Sequence, residues 1–494
     1  MYEAKYRRYI TKSQTRFAEE HEIRPLLSAV NSSDHAAAAG VPLFYDNGKL
    51  YVDNSDGHTL VIGPTGCKKS RTTVFSTVAS IIAAGESAII NDPKGEIYRN
   101  TAYKAKEKGM NVFLLNFRNP SKSHSWNPLA QSYKFQKQGK EDEALQCLND
   151  FAECIVAPAL KKTTDQYWGT TSKQFLVSLA LLLMDSVPSP YFNLTNLIQL
   201  CYAENEGYLK NMLGKIDQTS TAAFGLHTVL DLDAEKTKSC IYSTLLSTMS
   251  PLVQNKGLLK MLSGNSFDIE SICLSPTLIY VVYPDEKDSL NFAVNLFYTQ
   301  CYETFIAYAA GYPNDKLPIR VNFVLDEFSN LMPISNFDNR ISEARSKNIR
   351  YFLFLQSYGQ LKQKYVECAD TILSNCNNWI CFSSKDMEFL RKVSDICGRE
   401  VDYNGIEHDL ISPFEMQHFI KKDEAVEVLI LKQGLHPFIT ELPDFSCVDI
   451  FKDYKYTSLD SIDMNSNGKF LSFNEWISKI NSGDFHFPYA PQAA

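Results

Sequence analysis

The apolar residues of this chain gather into short continuous runs that alternate with stretches of helical spacing. The runs HTLVI and SAIIN start at His58 and Ser87, a helical pattern follows each of them, and NVFLLN starts at Asn111. Strands that are apolar throughout and alternate with helices are typical of a parallel sheet covered on both faces. Runs of the same kind return later in the chain, at 277–284, 320–328, 350–357, 378–384 and 425–433.

Between these two groups of strands the pattern becomes helical. Four long stretches succeed one another there, namely EDEALQCLNDFAECIVA, YWGTTSKQFLVSLALLLMDS, LTNLIQLCYAENEGYLKNML and TKSCIYSTLLSTMSPLV. We therefore predict an α/β fold with a mostly parallel sheet, split by an all-α insertion domain. The predicted divisions are an N-terminal helix and hairpin extension (1–55), the first part of the sheet domain (56–126), the all-α insertion (127–261), the second part of the sheet domain (262–450) and a tail with a short helix (451–494).

Turn residues mark two local features. Asn47 and Gly48 lie between apolar flanks, and this pair supplies the positive φ angles of a tight hairpin, so two short strands are predicted around it. The helical pattern that follows the first buried strand stops at Gly85, which is a plausible C-terminal cap.

Composition and charge narrow the class of protein. Of the 494 residues, 44% are hydrophobic and 21% charged, which is ordinary for a globular protein, and the length suits two domains or one large domain with an insertion. The formal net charge of −8 excludes a basic protein that coats nucleic acid. Any contact with DNA would have to come from a local basic stripe.

Two further features bear on the location. The first residues are polar and charged, and the longest apolar run, FLVSLALLLM, has about half the ~20 residues that a bilayer requires, so no signal peptide or membrane span is predicted. The twelve cysteines form no CxxC pair, the closest being Cys376 and Cys381. Their scatter argues against a zinc ribbon or a disulfide framework and favours free thiols in a reducing cytoplasm.

The stretch VIGPTGCKKSRTT, which begins within the first buried strand, nearly matches the phosphate-binding pattern G-x-x-x-x-G-K-[ST]. Gly63, Lys69 and Ser70 occupy their positions, but Lys68 stands at the second glycine. Since the backbone commonly needs a positive φ there, a lysine costs roughly 1–2 kcal/mol. An ordinary strand-to-helix turn is the alternative interpretation.

If the stretch binds a nucleotide, its backbone N–H groups face the phosphates, helped by the start of the helix. Lys69 then reaches the terminal phosphates and Ser70 holds Mg²⁺. The candidate nucleotide-binding residues are Gly63, Pro64, Thr65, Gly66, Cys67, Lys68, Lys69, Ser70 and Arg71.

A second motif follows the strand VNFVL, which ends in Asp326 and Glu327. In sheets that hydrolyse nucleotides, an acid at a strand tip holds Mg²⁺, and a neighbouring glutamate can deprotonate the attacking water. Asp326 is therefore a candidate metal ligand with Ser70, and Glu327 a candidate base. A solvated pair of acids at a strand end is the alternative.

Two more polar residues complete the candidate catalytic set. Arg345 lies on a predicted helix after the acidic strand, and Gln356 ends the next strand, RYFLFLQ. If the two strands are neighbours, Asp326, Glu327 and Gln356 share one edge of the sheet, and Gln356 can sense the γ-phosphate. Arg345 is a candidate arginine finger, acting in trans between subunits. Each of these two residues in isolation is also typical of an ordinary polar surface.

Successive stretches of the chain resemble the VirD4/TraG family, the coupling ATPases of conjugative type IV secretion systems. The matching blocks include LVIGPTGCKKSR, NDPKGEIY, WNPL, NFVLDEFSNL, ARSKNIRYFLFLQSYGQLKQKY and LISPFEM, and they cover roughly 56–437 in the family's order. The resemblance implies a RecA-like P-loop NTPase domain with an all-helical insertion, a hexameric ring, and ATP with Mg²⁺. It also implies single-stranded DNA with its relaxase as substrate, and subunits of the secretion channel as partners.

The resemblance implies the roles given above for Lys69, Ser70, Asp326, Glu327, Arg345 and Gln356. It also places Asp92, Lys94 and Glu96 in the family's DPKGE block.

The sequence departs from the family's pattern in two ways. Lys68 replaces a glycine, which puts turnover in doubt, and the pair of N-terminal membrane helices common in the family is missing from this sequence. We therefore expect a cytoplasmic protein, which either is peripheral at the inner face of the membrane through a partner or acts off the membrane.

The main prediction is thus an ATP-driven coupling protein that delivers a DNA–relaxase substrate to a type IV secretion channel. One alternative is a recruitment adaptor with a degenerate nucleotide site and little or no hydrolysis. Another is a DNA pump of the FtsK/HerA type that acts outside secretion.

The stretch DMNSNGKFLSFNEW resembles a calcium-binding loop, and the residues at matching positions are Asp463, Asn465, Asn467 and Gly468. The twelfth position, however, is occupied by Asn474. We therefore expect a polar turn before a helix.

Overall fold

The structure is a computed structural model that describes residues 15–30, 38–160, 166–284, 290–401 and 406–486. The chain divides into two compact units. The sheet unit comprises Met1–Phe113, Glu270–Val282 and Phe305–Leu459, and the helical unit comprises Leu114–Ile269, Tyr283–Thr304 and Asp460–Ala494. The five divisions derived from the sequence remain predictions.

The elements are numbered here in chain order. The strands are β1 (Ser28–Ala29), β2 (Pro42–Asp46), β3 (Lys49–Val52), β4 (His58–Ile62), β5 (Ser87–Asn91), β6 (Asn111–Asn116), β7 (Thr277–Val282), β8 (Val321–Leu325), β9 (Ile349–Leu355), β10 (Cys376–Cys381), β11 (Arg399–Val401), β12 (Glu407–Asp409), β13 (Ala425–Lys432) and β14 (Phe438–Pro443). The helices are α1 (Glu20–Ile23), α2 (Phe75–Ala84), α3 (Glu96–Glu107), α4 (Ala130–Lys137), α5 (Glu141–Leu160), α6 (Gln166–Ser186), α7 (Leu194–Leu200), α8 (Glu206–Leu213), α9 (Thr221–Leu230), α10 (Glu235–Val253), α11 (Lys256–Met261), α12 (Asn291–Ala309), α13 (Phe337–Ala344), α14 (Tyr358–Lys364), α15 (Ala369–Ser374), α16 (Met387–Cys397), α17 (Pro413–Gln417) and α18 (Phe473–Asn481).

A nine-stranded sheet forms the core of the sheet unit, in the order β14-β13-β10-β4-β9-β8-β5-β7-β6. The neighbours from β10 to β7 run parallel, while β13 runs antiparallel to both β10 and β14. Every residue of β4, β5, β8 and β9 is buried, as expected of parallel strands covered on both faces. The predicted α/β class with a mostly parallel sheet is confirmed.

The register of the central strands aligns their carboxyl ends. Ile62 of β4 pairs with Leu355 of β9, and Leu325 of β8 pairs with Leu353 of β9 and with Asn91 of β5. Loops that follow these four strands therefore start at one edge of the sheet, which we call the carboxyl edge. The opposite end of the same strands is the amino edge.

The predicted turn features are also present. Asn47 and Gly48 have φ angles of 48° and 81° and join β2 to β3 as an antiparallel hairpin. Gly85 ends α2 in the left-handed conformation, with a φ of 67°. None of the twelve cysteines, all of which lie in the described residues, forms a disulfide bond. Among the described helices, none combines the length and apolar character that a membrane crossing requires.

The helical unit differs in one detail from the pattern of its sequence. The stretch from Leu194 to Leu213 was predicted as one helical run, but it forms α7 and α8, separated by a 3₁₀ turn at Ala203–Asn205. The Asn205 side chain donates to the carbonyl oxygen of Gln199 across this break. A short polar side chain that binds nearby backbone competes with the helix, and this explains the interruption.

A buried ionic cluster lies at the amino edge of the sheet. Arg350, at the start of β9, is 1% exposed, and burial lowers its pKa to about 10, so it stays charged at neutral pH. Its guanidinium donates to Asn322 (2.9 Å), to a carboxylate oxygen of Glu86 (3.2 Å) and to the carbonyl oxygen of Ser55 (3.0 Å). These contacts join β8, β9 and the segments before β4 and β5.

Replacing Arg350 tests this cluster. Because the partly buried carboxylate of Glu86, with its side chain 17% exposed, would lose one of its two arginine partners, we expect Arg350→Met to lower the free energy of unfolding by about 3 kcal/mol. Arg345→Met is the matched control at the same edge, since Arg345 pairs with Asp56 with its side chain 54% exposed, and such pairs contribute at most about 1 kcal/mol. Urea denaturation measures both, and equal losses in the two variants would contradict the interpretation.

Candidate functional site

The carboxyl edge of the sheet collects most of the residues singled out in the sequence. The phosphate loop, residues 63–71, follows β4, the pair Asp326 and Glu327 follows β8, and Gln356 follows β9. Since β4, β9 and β8 are adjacent and parallel, the three segments start side by side.

The phosphate loop has the backbone conformation of a phosphate-binding turn. Gly66 and Lys68 have φ angles of 81° and 69°, so the left-handed conformation expected at position 68 is present in a lysine. This conformation costs roughly 1–2 kcal/mol for any residue other than glycine. Gly63 is required for space, because a Cβ there would lie 2.6 Å from Cys67 Sγ and 2.8 Å from Phe382 Cβ.

Lys69 occupies the centre of the site. It is 5% exposed, and its Nζ donates to the carbonyl oxygens of Leu355 (2.9 Å) and Gly63 (3.4 Å). The amine is thus held at the junction of the loop and the end of β9. Ser70 Oγ lies 3.5 Å from Asp326 Oδ2, so the two candidate metal ligands are adjacent.

The two acids that follow β8 have different environments. Asp326 is 8% exposed, and burial raises its pKa to about 6, with Glu327 adding to the rise and Lys69 opposing it. Glu327 has a φ of 52°, a strained conformation of the kind found at functional sites. Its Oε2 accepts a hydrogen bond of 2.6 Å from Gln356 Nε2. The structure therefore brings Glu327 and Gln356 into direct contact.

Two residues at the end of β5 belong to the same edge, although neither is among the site residues predicted from the sequence. Asn91 Nδ2 donates to the carbonyl oxygen of Asp326. Asp92 is 2% exposed, and burial raises its pKa to about 7, with the Asp326 carboxylate contributing; one of its oxygens accepts from Tyr98 N (2.8 Å). The available signal in the sequence was that an acid directly follows the predicted strand SAIIN.

The two candidate arginines are each bound to an acid, and Arg345 lies at the opposite edge of the sheet. Arg345 belongs to a 3₁₀ turn before β9, at the amino edge, and its Nε donates to Asp56 (2.8 Å). The seven residues of β9, at ~3.3 Å each, separate it from Gln356. Arg71 lies in the loop, but its guanidinium is bound to Asp444.

The calcium-like stretch has other partners. Asp463 pairs with Lys122 (2.7 Å), Asn467 Oδ1 accepts from Asn265 N (2.8 Å), and Glu475 forms the capping box of α18 with Ser472. In the part of the chain that the structure describes, no group of three or more histidines, cysteines and acids is placed to hold a metal ion.

The sheet and the loop after β4 define the class of the RecA-like P-loop proteins. Within that class, the family described as type IV secretory system conjugative DNA transfer matches residues 10–402, and the chain belongs to this family. The match ends before β13, so the last two strands of the sheet lie outside it.

Relatives and solved structures agree with this assignment. The chain is 23% identical to conjugal transfer protein TraG of Escherichia coli over 365 residues, which are 69% of this chain and 55% of TraG. It is 23% identical to the type IV secretion system-coupling protein VirD4 of Bartonella quintana over 308 residues, 56% of this chain and 46% of VirD4. The chain therefore spans about half the length of the curated relatives it matches.

The plasmid coupling protein TrwB has a similar fold. Its complex with ADP and Mg²⁺ aligns with a TM-score of 0.62 at 16% identity, over 91% of this chain and 97% of that one. Its complex with the non-hydrolysable ATP analogue ADPNP aligns with a TM-score of 0.60, also at 16% identity, over 91% and 98%. At this identity the likeness establishes the fold.

The buried acid Asp92 predicts a specific pH dependence. Its pKa is raised from about 3.9 in the unfolded chain to about 7, so the folded protein holds a proton that the unfolded chain releases, and stability falls as pH rises from about 4 to 7. Asp92→Asn removes this contribution. We expect the variant to lose less free energy of unfolding than the unsubstituted protein between pH 5 and pH 8, measured by urea denaturation without nucleotide or Mg²⁺; parallel pH profiles would contradict this.

Proposed function

We propose that this chain is an ATP-driven coupling protein, which hydrolyses ATP with Mg²⁺ and uses the energy to deliver a DNA–relaxase substrate to a type IV secretion channel. The observation that carries the proposal is the carboxyl edge, where a phosphate loop, a buried acid and a hydrogen-bonded Glu327–Gln356 pair start side by side. The printed names of the relatives, a conjugal transfer protein and a secretion coupling protein, support the same process.

The residues at this edge fit a magnesium nucleotide. The loop offers backbone N–H groups and the Lys69 amine, which match phosphate oxygens, and the adjacent Ser70 and Asp326 offer the oxygen ligands that Mg²⁺ prefers. The printed titles of the TrwB structures, with ADPNP and with ADP and Mg²⁺, support this fit. A bound metal ion would neutralise charge on the phosphates and favour the ionised form of Asp326.

In the proposed mechanism, the chain's own groups have separate tasks. Lys69, whose amine rests on two carbonyl oxygens, pairs with the terminal phosphates. Glu327 accepts the proton of the attacking water, and the amide of Gln356 holds its carboxylate in place.

Arg345 fits the proposal only in trans. It lies at the amino edge of its own sheet and cannot contact phosphates bound at the carboxyl edge. In a ring, the amino edge of one subunit can face the carboxyl edge of the next, which would bring Arg345 to a neighbour's nucleotide once it leaves Asp56. The proposed active form is therefore a hexameric ring. Its proposed partners are single-stranded DNA, the relaxase bound to that DNA and subunits of the secretion channel, and its proposed location is the cytoplasmic face of the membrane.

A second candidate function is a recruitment adaptor that binds nucleotide without turnover. The observation that favours it is Lys68, a non-glycine residue held in the left-handed conformation within the phosphate loop. A binding protein tolerates a stiffened loop, whereas a motor must release its products in every cycle. Steady-state ATP hydrolysis by the unsubstituted protein separates the two functions.

Glu327→Gln tests the proposed base. The amide cannot accept the proton of water, so we expect ATP hydrolysis to fall by at least about 100-fold while the Kd for nucleotide stays within about threefold. Phosphate release and equilibrium binding of a fluorescent nucleotide measure the two quantities. Glu343→Gln, an exposed glutamate of α13, is the matched control and should hydrolyse normally. Unchanged turnover in Glu327→Gln would remove Glu327 from the mechanism.

Subunit mixing tests the trans position of Arg345. Arg345→Ala and Glu327→Gln should each abolish hydrolysis alone, but in mixed rings some sites combine an intact Glu327 with an intact Arg345 from the neighbour. Random assembly of equal amounts makes about one quarter of the sites complete, so about a quarter of the activity should return. No recovery would place Arg345 in the same subunit as its site, and full activity of Arg345→Ala alone would exclude a finger.

A further inference from the structure

The turn that precedes β13 holds the phosphate loop at two points. This turn, residues 421–424, we call the latch turn. Lys68 Nζ donates hydrogen bonds to the carbonyl oxygens of Lys422 (3.2 Å) and Asp423. In the reverse direction, Lys421 Nζ donates to the carbonyl oxygen of Gly66. The two residues of the loop with left-handed backbone, Gly66 and Lys68, are therefore the two that the latch turn contacts.

The latch turn is itself well anchored. Lys422 N donates to the carbonyl oxygen of Ala425 (2.9 Å), and Asp444 N, at the end of β14, donates to the carbonyl oxygen of Glu424 (2.7 Å). The same Asp444 binds Arg71 through two hydrogen bonds of 2.5 and 2.7 Å, with its own side chain only 3% exposed. The open end of the β13–β14 hairpin thus contacts the loop at Gly66, Lys68 and Arg71.

The contact of Lys68 explains how a lysine is tolerated at a glycine position. Without a restraint, a residue with a Cβ would relax from the left-handed region towards the extended or right-handed helical region. The Lys68 amine opposes this relaxation, because its two bonds to the latch turn require the side chain to leave the loop in the observed direction. Bonds from a charged donor are stronger than those between neutral groups. A glycine would need no such restraint.

We propose that Lys68 is a positioning residue, whose amine fixes the phosphate loop in its nucleotide-binding conformation by binding the latch turn and not by binding phosphate. The latch turn lies beyond residue 402, where the family match ends, so this restraint comes from outside the matched region. The inference rests on the proposed nucleotide site. It makes the β13–β14 hairpin part of that site, although none of its residues is assigned to the chemistry.

Two substitutions at one position separate a restraint from a phosphate contact. Lys68→Met keeps the Cβ and its backbone cost but removes the amine, so we expect the Kd for MgADP to rise by about 5- to 30-fold. Lys68→Gly removes both the amine and the backbone cost. Lys68→Gly should therefore bind MgADP at least about fivefold more tightly than Lys68→Met. Titration with a fluorescent ADP analogue in the presence of Mg²⁺ measures all three proteins.

Lys106→Met is the matched control. It makes the same change of side chain at an exposed lysine of α3, outside both the loop and the latch turn. Its Kd should equal that of the unsubstituted protein. If Lys68→Gly and Lys68→Met lose affinity equally, the amine acts on the phosphates and the proposal is wrong. An unchanged Kd in Lys68→Met overturns it as well.

Amide hydrogen exchange without nucleotide tests the restraint independently of the proposed function. The amides of Cys67 and Thr72 donate to carbonyl oxygens within the loop, and that of Lys422 donates from the latch turn to the carbonyl oxygen of Ala425, the first residue of β13. Lys68→Met should exchange all three faster than the unsubstituted protein. Equal exchange would refute the restraint. Failure of the unsubstituted protein to bind MgADP would refute the nucleotide site, while the exchange result would still decide the restraint.

Discussion

The carbonyl oxygen of Leu355 accepts two hydrogen bonds, one from the backbone N–H of Gly63 (3.1 Å) and one from Lys69 Nζ (2.9 Å). The first continues the pairing of β4 with β9 by one residue, and the second brings the loop's buried amine to the same atom. Because Gln356 follows directly, its position and that of the Glu327 carboxylate it binds depend on this junction. The geometry of the whole site is thus fixed by the end of one parallel strand pair.

Buried charged groups have different surroundings at the two edges of the sheet. At the amino edge, Arg350 is surrounded by acceptors and its charge is compensated. At the carboxyl edge, Asp92 and Asp326 are buried near each other, and both have raised pKa values. Buried acids without full compensation are unfavourable in an empty site and become favourable beside a cation. The amino edge therefore stabilises the fold, while the carboxyl edge retains unbalanced charge of the kind that ligand binding uses.

The sequence was most informative where the determinants are local. Apolar runs predicted the buried strands, Asn47 and Gly48 predicted the hairpin, and a glycine pattern predicted the loop conformation, including the positive φ at position 68. The adjacency of β8 and β9, assumed from their order, is present. The environment of Asp92 was not predictable in this way, because it depends on Asp326, more than two hundred residues further along the chain. The partners of Lys68 and Arg71 are also far away in sequence, in the segment around β13 and β14.

Lys68 shows why a motif alone does not decide whether a site is intact. The phosphate-binding pattern alone would class Lys68 as unfavourable, because the left-handed backbone conformation at this position is unfavourable for a residue with a side chain. The structure supplies a compensating contact, and the same side chain that causes the steric cost forms the bonds that offset it. The Lys68 amine lies on the carbonyl oxygens of the latch turn. A phosphate loop restrained in this way is stiffer than one with glycine at position 68. The lysine should therefore change the rate of nucleotide exchange more than it changes the conformation in which the loop binds nucleotide.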